Sequence, residues 1–479
     1  MNSATVGEAE AIDRRLPGLF VCVGLVFGLL NGAIIPPMQG DDAAHFARAY
    51  SVSRGVCVAS PDIDIPQSFE KVNHLFPPFL QLIRKISFED LRTGLKIPLD
   101  ADRMAGNGRE RSMSYFINQN VYFCAAYVPE AMVLFAARQA GLPPLLSMYL
   151  CRLVNLGCYL GLTFLALRLL PDFRIVLFCI ALLPTALRQA ASVSIDSVVF
   201  GVSFLFVAWV FRLAFAPEAR KIGIREYAIT AVMIVFLAIS KTLVSPVLLL
   251  FLIPKERFPA KPGKWLRGKW LASSAGVLLA VGCAALWLHV NEPNLRRLTE
   301  SRMGGGIDVA GNARFVWEHP REMARIAMRS FGSPRYLYFN FRQFAGTVGW
   351  RDPAQVDWVA LTCFALLAAA AVTQTRATKL TRPVRGFLVL VAAAAVATTA
   401  PVGWLGDVSR HVLQTPAVLR TFTIPLPARY WYPHALASLV LFSTGRTRFN
   451  ARWFVWIAVG VLAAVNLVTL DVIRRMYYG

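Results

Sequence analysis

An all-α, polytopic integral membrane protein is the fold class this sequence predicts, and three observations predict it. Hydrophobic residues make up 56% of the 479-residue chain and charged residues 16%, against roughly 25% charged in ordinary soluble chains. The apolar residues fall in runs of bilayer-crossing length. Basic residues gather in the short segments between those runs. Backbone in contact with hydrocarbon must satisfy its own hydrogen bonds, so the runs read as helices. The net charge of +22 belongs to those short segments, where Lys and Arg orient the chain and meet anionic headgroups of the lipid bilayer. No nucleic-acid-binding motif accompanies the charge, which excludes nucleic acid as a partner.

Leu16–Ile35 is the first span. Arg14-Arg15 before it resembles a secretory leader, but no small-residue cleavage site precedes Pro36. It therefore reads as an uncleaved span with a cytoplasmic N-terminus. Residues 36–145 form the first outer loop, rich in turn formers such as Pro77-Pro78 and Gly106-Asn107-Gly108. Within it Val121–Gln139 is apolar but broken by Pro129 and carries Glu130. Tyr149–Leu170, Ile175–Ala190 and Ser197–Leu213 follow as spans. Tyr227–Ile253 is a 27-residue run with Lys241 inside it. That is long for one upright crossing and reads as a helical hairpin, which puts its two basic flanks on one side. The remaining spans are Leu271–Val290, Val356–Thr373, Phe387–Ala400, Tyr430–Phe442 and Trp453–Leu470.

Orientation follows from the basic segments: four basic residues in Arg212–Glu226, six in Lys255–Lys269, four in Arg376–Arg385 and three in Arg446–Arg452. All are cytoplasmic only if Val121–Gln139 does not cross, so it reads as a juxtamembrane or re-entrant helix. The count is then about eleven transmembrane helices in a single domain spanning residues 1–479. Residues 291–355 form a second large outer loop, despite ten Arg, because long loops obey the charge rule weakly. In it Pro320 opens a helix that Gly332 closes. Met323, Ile326, Ala327 and Ser330 form one face of that helix, and Arg321, Arg325 and Arg329 another. This pattern suits an interfacial helix in the headgroup plane.

The chemistry-bearing residues sit at the outer ends of spans. Asp41 and Asp42 follow the Pro36-Pro37 stop, with His45 and Arg48 on the Asp41 face of a new helix. The acids are candidate catalytic groups or, more simply, caps favouring a helix N-terminus; as a pair they also offer oxygen ligands to a divalent cation, Mg or Mn. His45 is a candidate metal ligand or proton carrier, or a structural hydrogen-bonding group. Asp196, near Arg188, is a second boundary acid, or else it or Ser194 is the N-cap of the next span. Lys241 is a candidate partner for a carboxylate or ligand for a phosphate, and Arg429 is a candidate lipid-phosphate ligand. Their plainer roles are snorkelling to the interface for Lys241 and, for the aromatics Tyr430, Trp431 and Tyr432 after Arg429, membrane anchoring. His411 and His434 carry weaker signals. Gly304-Gly305-Gly306 lacks the flanking strand and helix of a nucleotide fingerprint, and no GxSxG or HExxH is present. The eight Cys contain no C-x-x-C pair, so neither structural zinc nor a disulfide framework is expected.

The stretch D-D-A-A-H-F-A-R-A-Y-S-V-S-R-G resembles the D-E-x-x-H-F-x-R-A-Y signature of a bacterial family of multi-pass predicted membrane proteins. The likeness continues through C-R-L-V-N-L-G, A-L-R-L-L-P, A-L-L-P-T-A-L-R-Q-A-A-S-V-S-I-D-S, S-K-T-L-V-S-P and A-R-Y-W-Y-P. That family is similar to the GT-C superfamily of polyprenyl-phosphate-sugar-dependent glycosyltransferases. The resemblance implies a GT-C-like core with juxtamembrane helices in the first outer loop. It implies catalytic acids at Asp41, Asp42 and Asp196, with His45 beside them. Arg429, Lys241, Arg188 and Arg48 are the candidate lipid-phosphate-binding residues around these acids. Since D-D stands here for the family's D-E, which of the two is the base stays open. The implied function is transfer of a sugar from a polyprenyl-phosphate donor to a cell-envelope glycan or lipid acceptor, at the outer face of the bacterial inner membrane. A transporter or flippase of a lipid-linked glycan, which would line a path with deep charges, and a non-catalytic envelope-assembly subunit are the alternatives.

Overall fold

Two prolines and a left-handed residue set where the first helix stops. Pro36-Pro37 ends α1 (Ser3–Ile34), and the chain resumes as α2 (Asp42–Ser53) after Met38 passes through φ 58°. The computed structural model describes residues 3–39, 41–59, 66–77, 84–99, 119–217, 221–259, 265–304, 306–346, 357–373, 380–409, 412, 416–424, 428–443 and 451–478. Gly106-Asn107-Gly108, Gly305, His411 and parts of the basic segments 376–385 and 446–452 lie outside them.

The described chain is helical, with no strand beyond one isolated bridge, Ile307 to Ser409. After α2 come α3 (Gln67–Leu75), α4 (Phe88–Lys96), a 3-10 turn Cys124–Tyr127 and α5 (Val128–Gln139). Next are α6 (Pro144–Leu169), α7 (Arg174–Ala181), α8 (Pro184–Ala190), α9 (Asp196–Phe215) and α10 (Ile224–Lys241). A 3-10 segment Ser245–Leu252 leads to α11 (Trp265–Val290). Four helices follow: α12 (Glu292–Gly304), α13 (Val309–Glu318), α14 (Pro320–Gly332) and α15 (Pro334–Gly346). The chain ends with α16 (Asp357–Val372), α17 (Arg382–Asp407), α18 (Pro416–Thr421), a 3-10 turn Ala428–Trp431, α19 (Tyr432–Val440) and α20 (Ala451–Tyr477).

Among the described residues, six helices are long and apolar enough to cross a membrane: α1 from Arg14, α6, α9, α11, α17 and α20. They make this an α-helical, multi-pass membrane protein in contact with the bilayer. α16 is apolar but shorter. Two expected spans are not single long helices. Ile175–Ala190 is divided at Leu182-Leu183, where Pro184 begins α8; Tyr430–Phe442 holds a 3-10 turn and the nine-residue α19. Val121–Gln139 is likewise a 3-10 turn plus a twelve-residue helix, short of the roughly 20 residues a crossing needs.

The core is built on α9 packed along α6, with α1 against α6 and α20. The expected hairpin is present. α10 stops at Lys241, Thr242 turns the chain at φ 50°, and Ile222 N–H donates to the Arg257 carbonyl at 2.8 Å. The two basic flanks thereby meet. In residues 291–355, α14 runs from Pro320 to Gly332 as its residues require, but its apolar face does not lie free in the headgroup plane. Ile326 and Ser330 are fully buried, and they pack with Trp404, Val408 and Ile424 in a small second core. Arg329 donates to the carbonyls of Leu419 and Phe422.

The cysteine expectation is corrected. Cys57 and Cys124 form a disulfide across a sequence separation of 67 residues in the segment between α1 and α6. Their separation hides the pair from any short-spacing rule; only the fold brings α2's exit beside the 3-10 turn.

Candidate active site

Asp41 is positioned by the helix it precedes but does not cap it, because its carboxylate makes no bond to the first-turn amides. Instead Oδ2 accepts from Arg429 at 2.8 Å. Arg429 stands on the 3-10 turn that opens α19, and its Nε lies 3.8 Å from Asp196 Oδ2. The other Asp196 oxygen is paired with Lys241 at the α10 break. Ser194 Oγ, not Asp196, accepts the amide at the start of α9, so this carboxylate too is free of capping duty. Four segments thus bring two acids and two cations to one point: Asp41, Arg429, Asp196, Lys241. Lys241 does not snorkel; its side chain is 6% exposed, and its ammonium sits 4.9 Å from the Tyr430 ring centre.

The electrostatics favour full ionisation of the Asp41–Arg429 pair. Burial would raise the Asp41 pKa, but Arg429, His45 and Lys241 together outweigh it and hold the carboxyl below its usual range. Burial opposes the Arg429 charge, and Asp41 and Asp196 more than offset it, so this guanidinium stays protonated. Arg429 Nε is nonetheless buried without a hydrogen-bond partner among the described residues, and such a donor calls for an acceptor.

His45 lies beside this group. Its Nδ1 is 2.7 Å from the Tyr127 hydroxyl and its ring stacks on Tyr122. Burial dominates the pull of Asp41 and Asp196 and lowers its pKa to about 4, so the imidazole is neutral at neutral pH. Tyr122 and Tyr127 belong to a strap pinned at three points. The Cys57–Cys124 disulfide holds it, Trp287 Nε1 donates to the Val121 carbonyl at 2.9 Å, and the Trp287 ring packs edge-on to Phe123.

The other expected site residues are placed elsewhere. Asp42 turns away from Asp41 and accepts from Arg152 at 2.7 Å. Arg152 also donates to the carbonyls of Gly32, Ile35 and Pro36, so this pair ties the end of α1 to α6. Arg48 is fully buried and spends its guanidinium on the Val56 and Cys57 carbonyls. Half-buried Arg188, on α8, lies within electrostatic range of Asp42, Arg429 and Asp41. Of the aromatics after Arg429, Tyr432 is core, stacked between Phe200 and Phe344, and is no interfacial anchor.

A divalent cation does not fit the Asp41–Asp42 pair as it stands: each carboxylate holds a different arginine. Among the described residues no three His, Cys, Asp or Glu gather as a metal set. The positive charge at this point comes from Arg429 and Lys241.

Sequence reasoning gave no role to Arg152, Tyr122 and Tyr127. Arg152 had a legible signal, since an arginine inside an apolar run is costly unless paired. The tyrosines had none, because their place depends on the disulfide.

No curated protein and no solved structure matches the chain. A family model described as predicted membrane protein (DUF2142) matches residues 25–414, most of the chain, and the protein belongs to that family.

Proposed function

We propose that the chain is a membrane glycosyltransferase with a GT-C-like core of about eleven spans. It would move a sugar from a polyprenyl-phosphate donor to an envelope glycan or lipid at the outer face of a bacterial inner membrane. The observation that carries this reading is the convergence of Asp41, Arg429, Asp196 and Lys241 from four separate segments, with a buried Arg429 Nε that has no hydrogen-bond acceptor among the described residues. The disulfide supports the outward orientation, since such bonds persist in oxidising compartments.

In this reading an acceptor hydroxyl attacks the anomeric carbon. The carbon–oxygen bond to phosphate breaks, and its electron pair leaves with the lipid phosphate. The hydroxyl proton passes to Asp41, the general base. Arg429 and Lys241 balance the charge that grows on the phosphate. The guanidinium that lowers Asp41's basicity is the one the phosphate engages. Donor binding therefore draws Arg429 off Asp41 and makes the carboxylate a better base when it is needed. Asp196 holds Lys241 and Arg429 in register. The Arg152 pair leaves Asp42 a positioning role.

The test is chemical. Membranes holding the protein are incubated with polyprenyl-phosphate sugars and envelope acceptors, and lipid-linked sugar is followed. Transfer that depends on the protein supports the proposal. Movement of the intact donor across the bilayer without transfer would replace it with the flippase reading.

A further inference from the structure

At the opposite end of α10 from Lys241 lies a second feature, an apolar slot of about 240 Å³ between α10 and α11. One wall is Tyr227, Thr230, Ala231 and Ile234, a single helical face; the other is Ala272, Ser273, Gly276 and Leu279. Leu250 and Ile253 line it from the 3-10 segment. The Thr230 and Ser273 hydroxyls already have partners: Thr230 Oγ1 donates to the Glu226 carbonyl, Ser273 Oγ to that of Leu250. Apart from these and the Tyr227 hydroxyl, the lining side chains are apolar. From Tyr227 to Ile234 the slot runs about 10 Å along the helix axis, at 1.5 Å per residue.

Its outer end is basic. Lining residues Leu213, Ile222, Tyr227, Ile253, Phe258 and Ala272 stand within one turn of Arg212, Lys221, Arg225, Lys255, Arg257 and Lys269 in the sequence. The acids described there are Glu226 and Glu256. The Ile222-to-Arg257 hydrogen bond holds the two basic flanks together at this mouth. α10 has 18 residues, so the mouth and the Lys241 end are about 27 Å apart, close to the thickness of a hydrocarbon core.

We propose that this slot binds an anionic phospholipid of the leaflet opposite the acid–cation site. One acyl chain would lie between α10 and α11, with the headgroup phosphate among Arg212, Lys221, Arg225 and Lys255. The lipid fills the gap between α10 and α11 beside the joined flanks of the hairpin, whose other end presents Lys241. A dry slot selects a hydrocarbon chain, and its cationic mouth selects the negative headgroup.

The experiment uses the full chain in neutral detergent, titrated with phosphatidylglycerol, with phosphatidylcholine or with glycerol 3-phosphate, reading thermal midpoint and retained lipid. Phosphatidylglycerol is expected to raise the midpoint and stay bound through gel filtration, and the other two are not. Ala231→Phe, which fills the slot, and the double variant Arg225→Gln/Lys255→Gln, on exposed surface, are each expected to weaken phosphatidylglycerol binding at least fivefold. If Ala231→Phe does not fold, the double variant decides. Equal effects of both phospholipids, a shift with glycerol 3-phosphate alone, or wild-type binding by the double variant would overturn the proposal.

Discussion

The guanidinium of Arg429 lies 2.8 Å from the carboxylate of Asp41, although 388 residues separate them in sequence. The same guanidinium faces Asp196 at 3.8 Å. The segment that opens α2, the start of α9 and the turn before α19 are thereby fixed to one another through a single side chain.

The two adjacent acids should behave differently. Asp41→Asn is expected to lower sugar transfer by about 10²–10⁴-fold, the usual contribution of a general base, with little change in thermal midpoint because its side chain is 24% exposed. Asp42→Asn leaves Arg152 buried without its carboxylate. It should cost about 3–5 kcal/mol of stability and lose activity through loss of folded protein. Transfer assays normalised to folded protein, beside thermal unfolding, separate the two.

Arg429→Lys keeps a positive charge but removes the fork and the unused Nε donor. A charged hydrogen bond is worth about 1.5–3 kcal/mol, so transfer should fall roughly ten- to a hundredfold. Arg429→Gln should fall further and let the Asp41 carboxyl titrate nearer its ordinary range, which a pH–rate profile reads.

Glu130 is fully buried, hydrogen-bonded to Asn155 at 2.8 Å, and burial raises its pKa to about 7. The folded state therefore holds this proton more tightly than the unfolded chain. Its stabilising contribution is complete below about pH 4.5, falls as pH rises, and is gone above about 7. Glu130→Gln should flatten that part of the pH–stability curve between about pH 4.5 and 7; an unchanged slope would place the titration on another group.

The Cys57–Cys124 bond closes a long loop. Replacing both with Ser should lower stability by roughly 2–4 kcal/mol and, by freeing the strap that carries Tyr122 and Tyr127, reduce transfer. Thiol labelling of the native protein should leave both unmodified until a reductant is added. Free thiols at both positions in freshly isolated membranes would contradict an oxidising location for this loop.

Much of the fold was legible because membrane helices obey a strong local rule. α1, α6, α9, α11, α17 and α20 were visible as apolar runs, Pro36-Pro37 and Pro320–Gly332 as breaks and caps, and the Tyr227–Ile253 hairpin as a run too long and interrupted by Lys241. Broken segments were less visible. Pro184 divides a run whose composition reads as one span, and hydropathy is blind to a kink. The apolar face of α14 was legible, but its partner, the Trp404 cluster, lies about 80 residues away in sequence. The charged residues of the site could be nominated one by one because charge is costly near hydrocarbon. Their pairing could not: nothing local distinguishes Asp41 from Asp42, and only the position of Arg152 on α6 draws Asp42 aside.

The most direct measurement is complementation of a strain lacking the protein, with Asp41→Asn and Asp196→Asn chains at equal membrane abundance, reading the envelope glycan by mass spectrometry. The account predicts a sugar that is missing without the protein, restored by the wild-type chain and absent with either variant. Full restoration by both variants would contradict it.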